Sequence, residues 1–266
     1  MKVMDAIKRG FDIANANMKL ILIIFIFNVI WNLGVIPFTP EALGMTGAGV
    51  AVSPMLTIIS LLFVLASIFI QGGVLGSVKD IIKENKLDLE KFKGYGAKFY
   101  IRLLCLALII MLIIAVVAFI ATLVVAASAP TKNAVMITLT TIIALVVGGA
   151  GIYLVVLLFL APYILVIEDV GIFESMARSI AFVRKKILKV IGLAAMLVLI
   201  GFGIGLVMGI IAGIISLAIK GKFLQFITGI LNGGVNAYLS ILVTGCLASY
   251  YLAHKDAGSK EEAPAA

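Results

Sequence analysis

The chain has 266 residues, of which 63% are hydrophobic and only 13% are charged. Soluble domains carry roughly 25% charged residues, and the surface of a water-soluble fold cannot absorb so much apolar sequence. The formal charge of +8 does not favour nucleic acid, because the Lys and Arg residues cluster between apolar stretches. That distribution is typical of proteins that meet an anionic lipid surface.

Six stretches of the chain contain no Asp, Glu, Lys, Arg or His. They are residues 20–38, 55–78, 103–129, 133–167, 190–219 and 223–253. Each reaches or nearly reaches the ~20 residues that cross a ~30 Å hydrocarbon core as a helix. The fourth is longer than one span needs, and Pro162 predicts a kink or a stop near its end. We predict an all-α, polytopic fold with six transmembrane helices in one membrane domain, residues 1–255, and a disordered cytoplasmic tail, residues 256–266.

The basic residues predict the orientation of the spans. Eighteen of the 21 Lys and Arg residues lie before the first stretch, in the second and fourth connections, or after the sixth stretch. The other side carries only Lys132, Lys220 and Lys222. The positive-inside rule therefore predicts that both termini are cytoplasmic, in a cell membrane.

Two segments on the predicted cytoplasmic side have the pattern of short amphipathic helices that lie in the membrane interface. The apolar positions of the first are Met4, Ile7, Phe11 and Ala14, and those of the second are Phe173, Met176, Ile180, Val183 and Ile187. Glu174 and Arg178 are spaced for an ion pair on another face. The second segment ends in a basic cluster. The cluster predicts binding to anionic lipid headgroups; the alternative is that its charges only set the topology during insertion. Its residues are Arg184, Lys185, Lys186 and Lys189.

Three units of similar length predict an internal repeat. Asp5, Glu90 and Glu174 each open a polar amphipathic stretch that leads into a pair of spans, at spacings of 85 and 84 residues. A basic residue close to an aromatic one recurs as Arg9-Gly10-Phe11 and Lys93-Gly94-Tyr95. The pattern indicates a three-fold hairpin repeat.

No enzyme motif is present, and we expect no enzymatic activity, cofactor or metal. Enzyme chemistry in lipid needs an ionisable residue within a span, and the six stretches contain none. Cys105 and Cys246 lack the spacing of a zinc site or a disulfide framework and are interpreted as buried apolar residues. The acidic cluster of Glu168, Asp169 and Glu174 is interpreted as a helix stop with surface ion pairs rather than a metal site.

Polar amides and glycines recur at four-residue spacing within three spans. Asn28 with Asn32, and Asn232 with Asn236, each share a helix face, which favours hydrogen bonds between helices; the alternative is a polar cavity lining for a substrate path. Glycine lets helices approach closely, so the glycine ridges predict packing between the fifth and sixth spans, or a homo-oligomer. The ridge residues are Gly201, Gly205, Gly209 and Gly213 in the fifth span, and Gly229 and Gly233 in the sixth.

Several short segments together resemble a known family. They are Gly72-Gly73, Phe92-Lys93-Gly94 leading to Arg102, Ala161-Pro162-Tyr163, Ile167–Gly171, and Glu174-Ser175 with Ser179 before a basic run. This pattern resembles the six-helix membrane domain associated with some glycerophosphoryl diester phosphodiesterases, and related prokaryotic membrane proteins. In those enzymes catalysis belongs to a separate soluble domain. The resemblance implies the fold, and we expect this chain to lack that catalytic domain.

These observations favour a non-enzymatic membrane module that organises or assists a membrane partner, with anionic lipids and a protein partner or a second copy as its expected contacts. The alternative is a transporter, channel or facilitator for a small or lipid-like molecule. An intramembrane enzyme is the third hypothesis. The absence of charges within the spans argues against ion-coupled transport.

Overall fold

The computed structural model describes residues 1–36, 54–128, 134–219 and 221–261, and within them every regular element is a helix. The helices are α1 (Val3–Ala16), α2 (Met18–Val35), α3 (Pro54–Glu84), α4 (Glu90–Ser128), α5 (Ala134–Leu158), α6 (Ala161–Glu168), α7 (Ile172–Lys185), α8 (Ile187–Ala218) and α9 (Lys222–Glu261). Six candidate spans are long and apolar enough to cross a membrane, with α5 and α6 counted as one. The predicted all-α fold with six spans is confirmed.

The break in the fourth span lies where Pro162 predicts it. α5 ends at Leu158, and α6 begins at Ala161 with Pro162 in its first turn. Proline is accommodated there because the first N–H groups of a helix have no acceptor within it. The α6 helix ends at Glu168, and its C-cap residue Asp169 has a left-handed φ of 56°.

Two of the three predicted amphipathic segments are separate helices, each joined to the following span at a single-residue elbow. Asn17 separates α1 from α2, and its side-chain amide donates a hydrogen bond to the Ile13 carbonyl at 2.8 Å. Lys186 separates α7 from α8. The third segment, opened by Glu90, is not a separate helix: it forms the first turns of the 39-residue α4.

The face of α7 that packs on the rest of the protein shares only Val183 with the predicted apolar stripe. The buried residues of α7 are Ser175, Ser179 and Val183, at every fourth position. Phe173, predicted to head the apolar face, is 77% exposed. Small hydroxyl residues let α7 lie close to its neighbour, whereas a Phe at the same position would hold the two helices apart.

The described residues form two compact units. In the first, Met1–Tyr100 together with the chain from Gly192 onward, α9 packs against α1, α2 and α3. The ring of Phe63 on α3 also stacks on Phe27 and Trp31 of α2. In the second unit, Ile101–Ile191, α7 packs against α5 and α6.

The fifth residue after the opening acidic residue contacts another helix in each of the three predicted repeats, through a different kind of contact each time. Five residues after Asp5, Glu90 and Glu174 stand Gly10, Tyr95 and Ser179. Gly10 lies against Leu242 and Cys246 of α9, and the Tyr95 ring covers Gly76 of α3. The Ser179 hydroxyl donates to the Leu157 carbonyl of α5 at 2.7 Å.

The ends of two hairpins also match. Asn85 after α3 and Asp169 after α6 are the two non-glycine residues with positive φ in the described chain, at 55° and 56°, and they stand 84 residues apart. This spacing equals the second interval of the acidic residues; the three-fold repeat stays a prediction.

Some sequence predictions fall outside the described part of the chain. Lys132 and Lys220, two of the three basic residues assigned to the far side, lie outside the described residues. So do residues 262–266 of the tail; α9 continues to Glu261. The division into a membrane domain and a disordered tail stays a prediction.

Candidate functional site

The predicted lipid-binding residues surround the elbow between α7 and α8. Arg184 and Lys185 occupy the last turn of α7, where cations interact favourably with the helix dipole, Lys186 is the elbow residue, and Lys189 follows in α8. The ammonium group of Lys186 lies 5.3 Å from the centre of the Phe182 ring. The other three side chains are exposed.

An exposed apolar side chain lies close to this basic cluster in the chain. Leu188, two residues after the elbow residue Lys186, is 81% exposed. An apolar side chain beside a cation suits the boundary between hydrocarbon and headgroups, where each group finds a matching environment. The elbow therefore offers both parts of an interfacial lipid contact.

The acidic cluster at the turn between α6 and α7 is paired with arginines. Arg178 bonds both Glu168 and Glu174, which confirms the predicted i,i+4 pair. Arg102 bonds Asp169 at 2.8 Å. Because the Glu168 side chain is only 4% exposed, its arginine partner compensates a carboxylate that has little contact with solvent. The cluster fixes the turn that positions α7.

No group of three or more His, Cys, Asp or Glu residues in the described ranges is arranged to hold a metal ion. The paired carboxylates at the α6–α7 turn act as acceptors for guanidinium groups.

The first asparagine pair makes hydrogen bonds between helices. The Asn28 amide donates to the Gly233 carbonyl at 3.4 Å, and the Asn32 amide donates to the Gly229 carbonyl at 2.9 Å. A Cβ at Gly233 would stand 3.0 Å from the Val29 side chain. The absence of a side chain at Gly233 therefore allows α2 to pack close to α9. The residues of the two helices pair in opposite order, so α2 and α9 run antiparallel.

The second asparagine pair does not join the first. Asn232 and Asn236 are exposed on α9, whereas Gly233 is buried against α2. No hydrogen bond from either amide to a described residue is present in the structure. The structure thus brings Asn28 and Asn32 into helix packing and leaves Asn232 and Asn236 on an open surface.

The four-glycine ridge of α8 does not meet α9. A Cβ built at Gly201, Gly205, Gly209 or Gly213 has no described atom within 4 Å. The predicted packing of this ridge on the sixth span is therefore absent from the described chain. Contact with a second copy stays a prediction.

One polar contact was missed by sequence reasoning. The Tyr95 hydroxyl donates to the Asp80 carboxylate at 2.7 Å, and Asp80 is 6% exposed. Asp80 lies two residues beyond the second apolar stretch, and α3 continues past it to Glu84. A signal was present in the sequence: helical periodicity places Asp80 on the same face as Gly73 and Gly76.

These features define a multi-pass membrane protein. The chain belongs to the family described as Domain of unknown function (DUF7847), whose match covers residues 1–254. No curated protein matches the chain, and no solved structure matches it. The family match covers the same part of the chain as the predicted membrane domain.

Proposed function

We propose that this protein is a non-enzymatic membrane module that binds anionic lipid at the α7–α8 elbow and so organises a membrane partner. The observation that carries the proposal is the exposure of Arg184, Lys185 and Lys189 beside the exposed apolar side chain of Leu188. Each basic residue near an anionic surface contributes about 1 kcal/mol, so the cluster supplies a few kcal/mol within a Debye length of about 8–10 Å.

The charge distribution supports the orientation that the proposal requires. The elbow belongs to the side that carries 18 of the 21 basic residues, which we assign to the cytoplasm. The cytoplasmic leaflet has the negative surface potential that such a cluster needs. The elbow would then lie at the headgroups of that leaflet.

Two observations support a module rather than a transporter. The amides of Asn28 and Asn32, which would line a substrate path, are used in packing α2 on α9. The carboxylates of the α6–α7 turn bond arginines. The resemblance to the membrane domain of glycerophosphoryl diester phosphodiesterases supports the same proposal, since that domain accompanies an enzyme and does not perform its chemistry.

The test removes three cations from the elbow and keeps the apolar side chains. We expect the Arg184→Gln, Lys185→Gln, Lys189→Gln variant, purified from vesicles that contain phosphatidylglycerol, to retain about a hundredfold less of this lipid in native mass spectrometry, since each cation contributes about 1 kcal/mol. The matched control is Lys8→Gln, Lys83→Gln, Lys93→Gln, which removes three exposed cations from the same predicted side. The control should retain the lipid as the parent does.

Orientation is checked in the same variants. An impermeant thiol reagent applied to intact cells should label a cysteine at Gly221 and leave a cysteine at Lys86 unlabelled. If the elbow variant and the parent retain equal amounts of phosphatidylglycerol, the basic cluster does not bind this lipid and serves only to set the topology. Labelling at Lys86 from outside would overturn the assigned side.

A further inference from the structure

The other elbow of the molecule borders a groove with a different charge. Its larger part, about 770 Å³, lies between Ala16–Lys19 at the α1–α2 elbow and Lys86–Glu90, the segment before α4. A second part of about 470 Å³ shares Ala16, Asn17 and Leu87 with it and extends along α1 and the end of α3. The two parts adjoin at these shared residues and together are called the groove; each is of a size that accepts a small ligand.

Charged residues of both signs line this groove in equal number. They are Arg9, Lys19 and Lys86, and Asp12, Asp88 and Glu90. The formal charges of these six residues therefore sum to zero. The groove thus differs from the α7–α8 elbow, whose four charged residues are all basic.

Two of the six charges are already used within the protein. Arg9 donates to the Ile82 carbonyl at 3.5 Å. Asp88 accepts the N–H of Glu90 at 3.0 Å and pairs with Lys91 at 3.8 Å. The four remaining side chains, those of Lys19, Lys86, Asp12 and Glu90, form no ion pair with any described residue. They are available to a ligand that carries one charge of each sign.

The groove opens onto an apolar track. Met18, which lines the groove, begins a line of exposed apolar side chains at every fourth residue of α2, continued by Leu22, Ile26 and Ile30. A ligand with a charged head and an acyl tail fits both surfaces at once: the head lies in the groove and the tail follows the first span. A soluble zwitterion would use only the first.

We propose that this groove binds the headgroup of a zwitterionic, amine-bearing phospholipid, with its phosphate at Lys19 and Lys86 and its ammonium at Glu90 and Asp12. An anionic headgroup would set its charge against two carboxylates. A quaternary amine would have no N–H to donate to them. The proposal shares with the proposed function only the assumption that this side of the protein meets lipid headgroups.

The test measures lipid selectivity in the full chain. The protein is reconstituted in vesicles of equal parts phosphatidylethanolamine, phosphatidylglycerol and phosphatidylcholine with identical acyl chains. It is then extracted in mild detergent, and retained lipid is quantified by native mass spectrometry. We expect enrichment of phosphatidylethanolamine over both others in the parent. The Lys19→Gln, Lys86→Gln variant should lose about tenfold or more of that enrichment, since each cation contributes roughly a factor of five.

Two further variants separate the outcomes. Glu90→Gln should shift retention from phosphatidylethanolamine towards phosphatidylglycerol, a change of preference that unfolding would not produce. Lys83→Gln, Lys93→Gln, two exposed cations that do not line the groove, should behave as the parent. The elbow variant of the proposed function should lose phosphatidylglycerol and keep phosphatidylethanolamine, so failure of one proposal is distinguishable from failure of the other.

Three results would overturn the inference. If the parent retains the three lipids in their bulk proportion, the groove is not selective for phosphatidylethanolamine. If the Lys19→Gln, Lys86→Gln variant retains as much phosphatidylethanolamine as the parent, the lipid does not bind at these lysines. Competition by soluble glycerophosphoethanolamine at the concentration at which the lipid itself competes would assign the groove to a free phosphodiester.

Discussion

The last two spans both carry glycines at every fourth residue, yet only those of α9 are in contact with another helix. Gly229 and Gly233 lie against Asn32 and Val29 of α2, whereas the ridge of α8 has no described atom nearby. The difference lies in the partner helix. Glycine exposes backbone carbonyls, and α2 provides two amides at the matching spacing to bond them. A glycine ridge predicts a surface suited to close approach, and the facing helix decides whether it is used.

The largest expected effect comes from filling the α9 pair. Gly229→Leu with Gly233→Leu should lower thermal stability strongly, because a side chain at Gly233 would overlap Val29 and force α2 away. Overpacking costs about 1–3 kcal/mol per site, so a loss of several kcal/mol is expected in a thermal shift assay in detergent. A stability equal to that of the parent would show that α2 and α9 are not packed as described.

A smaller effect is expected from the amides themselves. Asn28→Leu with Asn32→Leu removes both hydrogen bonds to α9 while keeping similar side-chain size. Each bond between membrane helices contributes about 0.6 kcal/mol and at most about 1.7, so a loss of roughly 1–3 kcal/mol is expected. The control is Asn232→Leu with Asn236→Leu, whose amides are exposed and should cost nothing when removed. Equal losses in both double variants would contradict the distinction between the two pairs.

The smallest effect is expected on the α8 ridge. Gly205→Leu with Gly209→Leu should leave monomer stability unchanged, because a leucine side chain is at no disadvantage in hydrocarbon. The same variant should dissociate any oligomer that forms through this surface, which native mass spectrometry would detect. Destabilisation of a parent that is monomeric under the same conditions would place another helix against the ridge.

The structural features that could be predicted from the sequence are those that a single chemical property decides. The six spans follow from the absence of charge, the break before α6 follows from Pro162, and the Arg178–Glu174 pair follows from helical spacing. Contacts between distant segments were not predictable. The Arg102–Asp169 pair joins residues 67 apart, and the groove unites Lys19 with Lys86.

The buried face of α7 could not be predicted from the sequence for a different reason. In water, burial selects apolar side chains, and an apolar stripe marks the inner face of a helix. Near a membrane an apolar side chain is as stable against lipid as against protein, so an apolar stripe does not indicate which helix face packs on the protein. Close packing selects small residues instead, and the inner face of α7 is marked by Ser175 and Ser179.

The contact between α1 and α9 also sets an order of events during synthesis. The thiol of Cys246 donates a hydrogen bond to the Ile7 carbonyl across 239 residues, so α1 leaves the ribosome well before α9, the helix on which it packs. At translation rates of about 5–20 residues per second, roughly 12–48 s pass between the synthesis of Ile7 and the synthesis of Cys246. Its inner face, with Ile7 and Ile13, needs shelter throughout that interval. The membrane surface provides it, since an amphipathic helix can rest there until α9 is inserted.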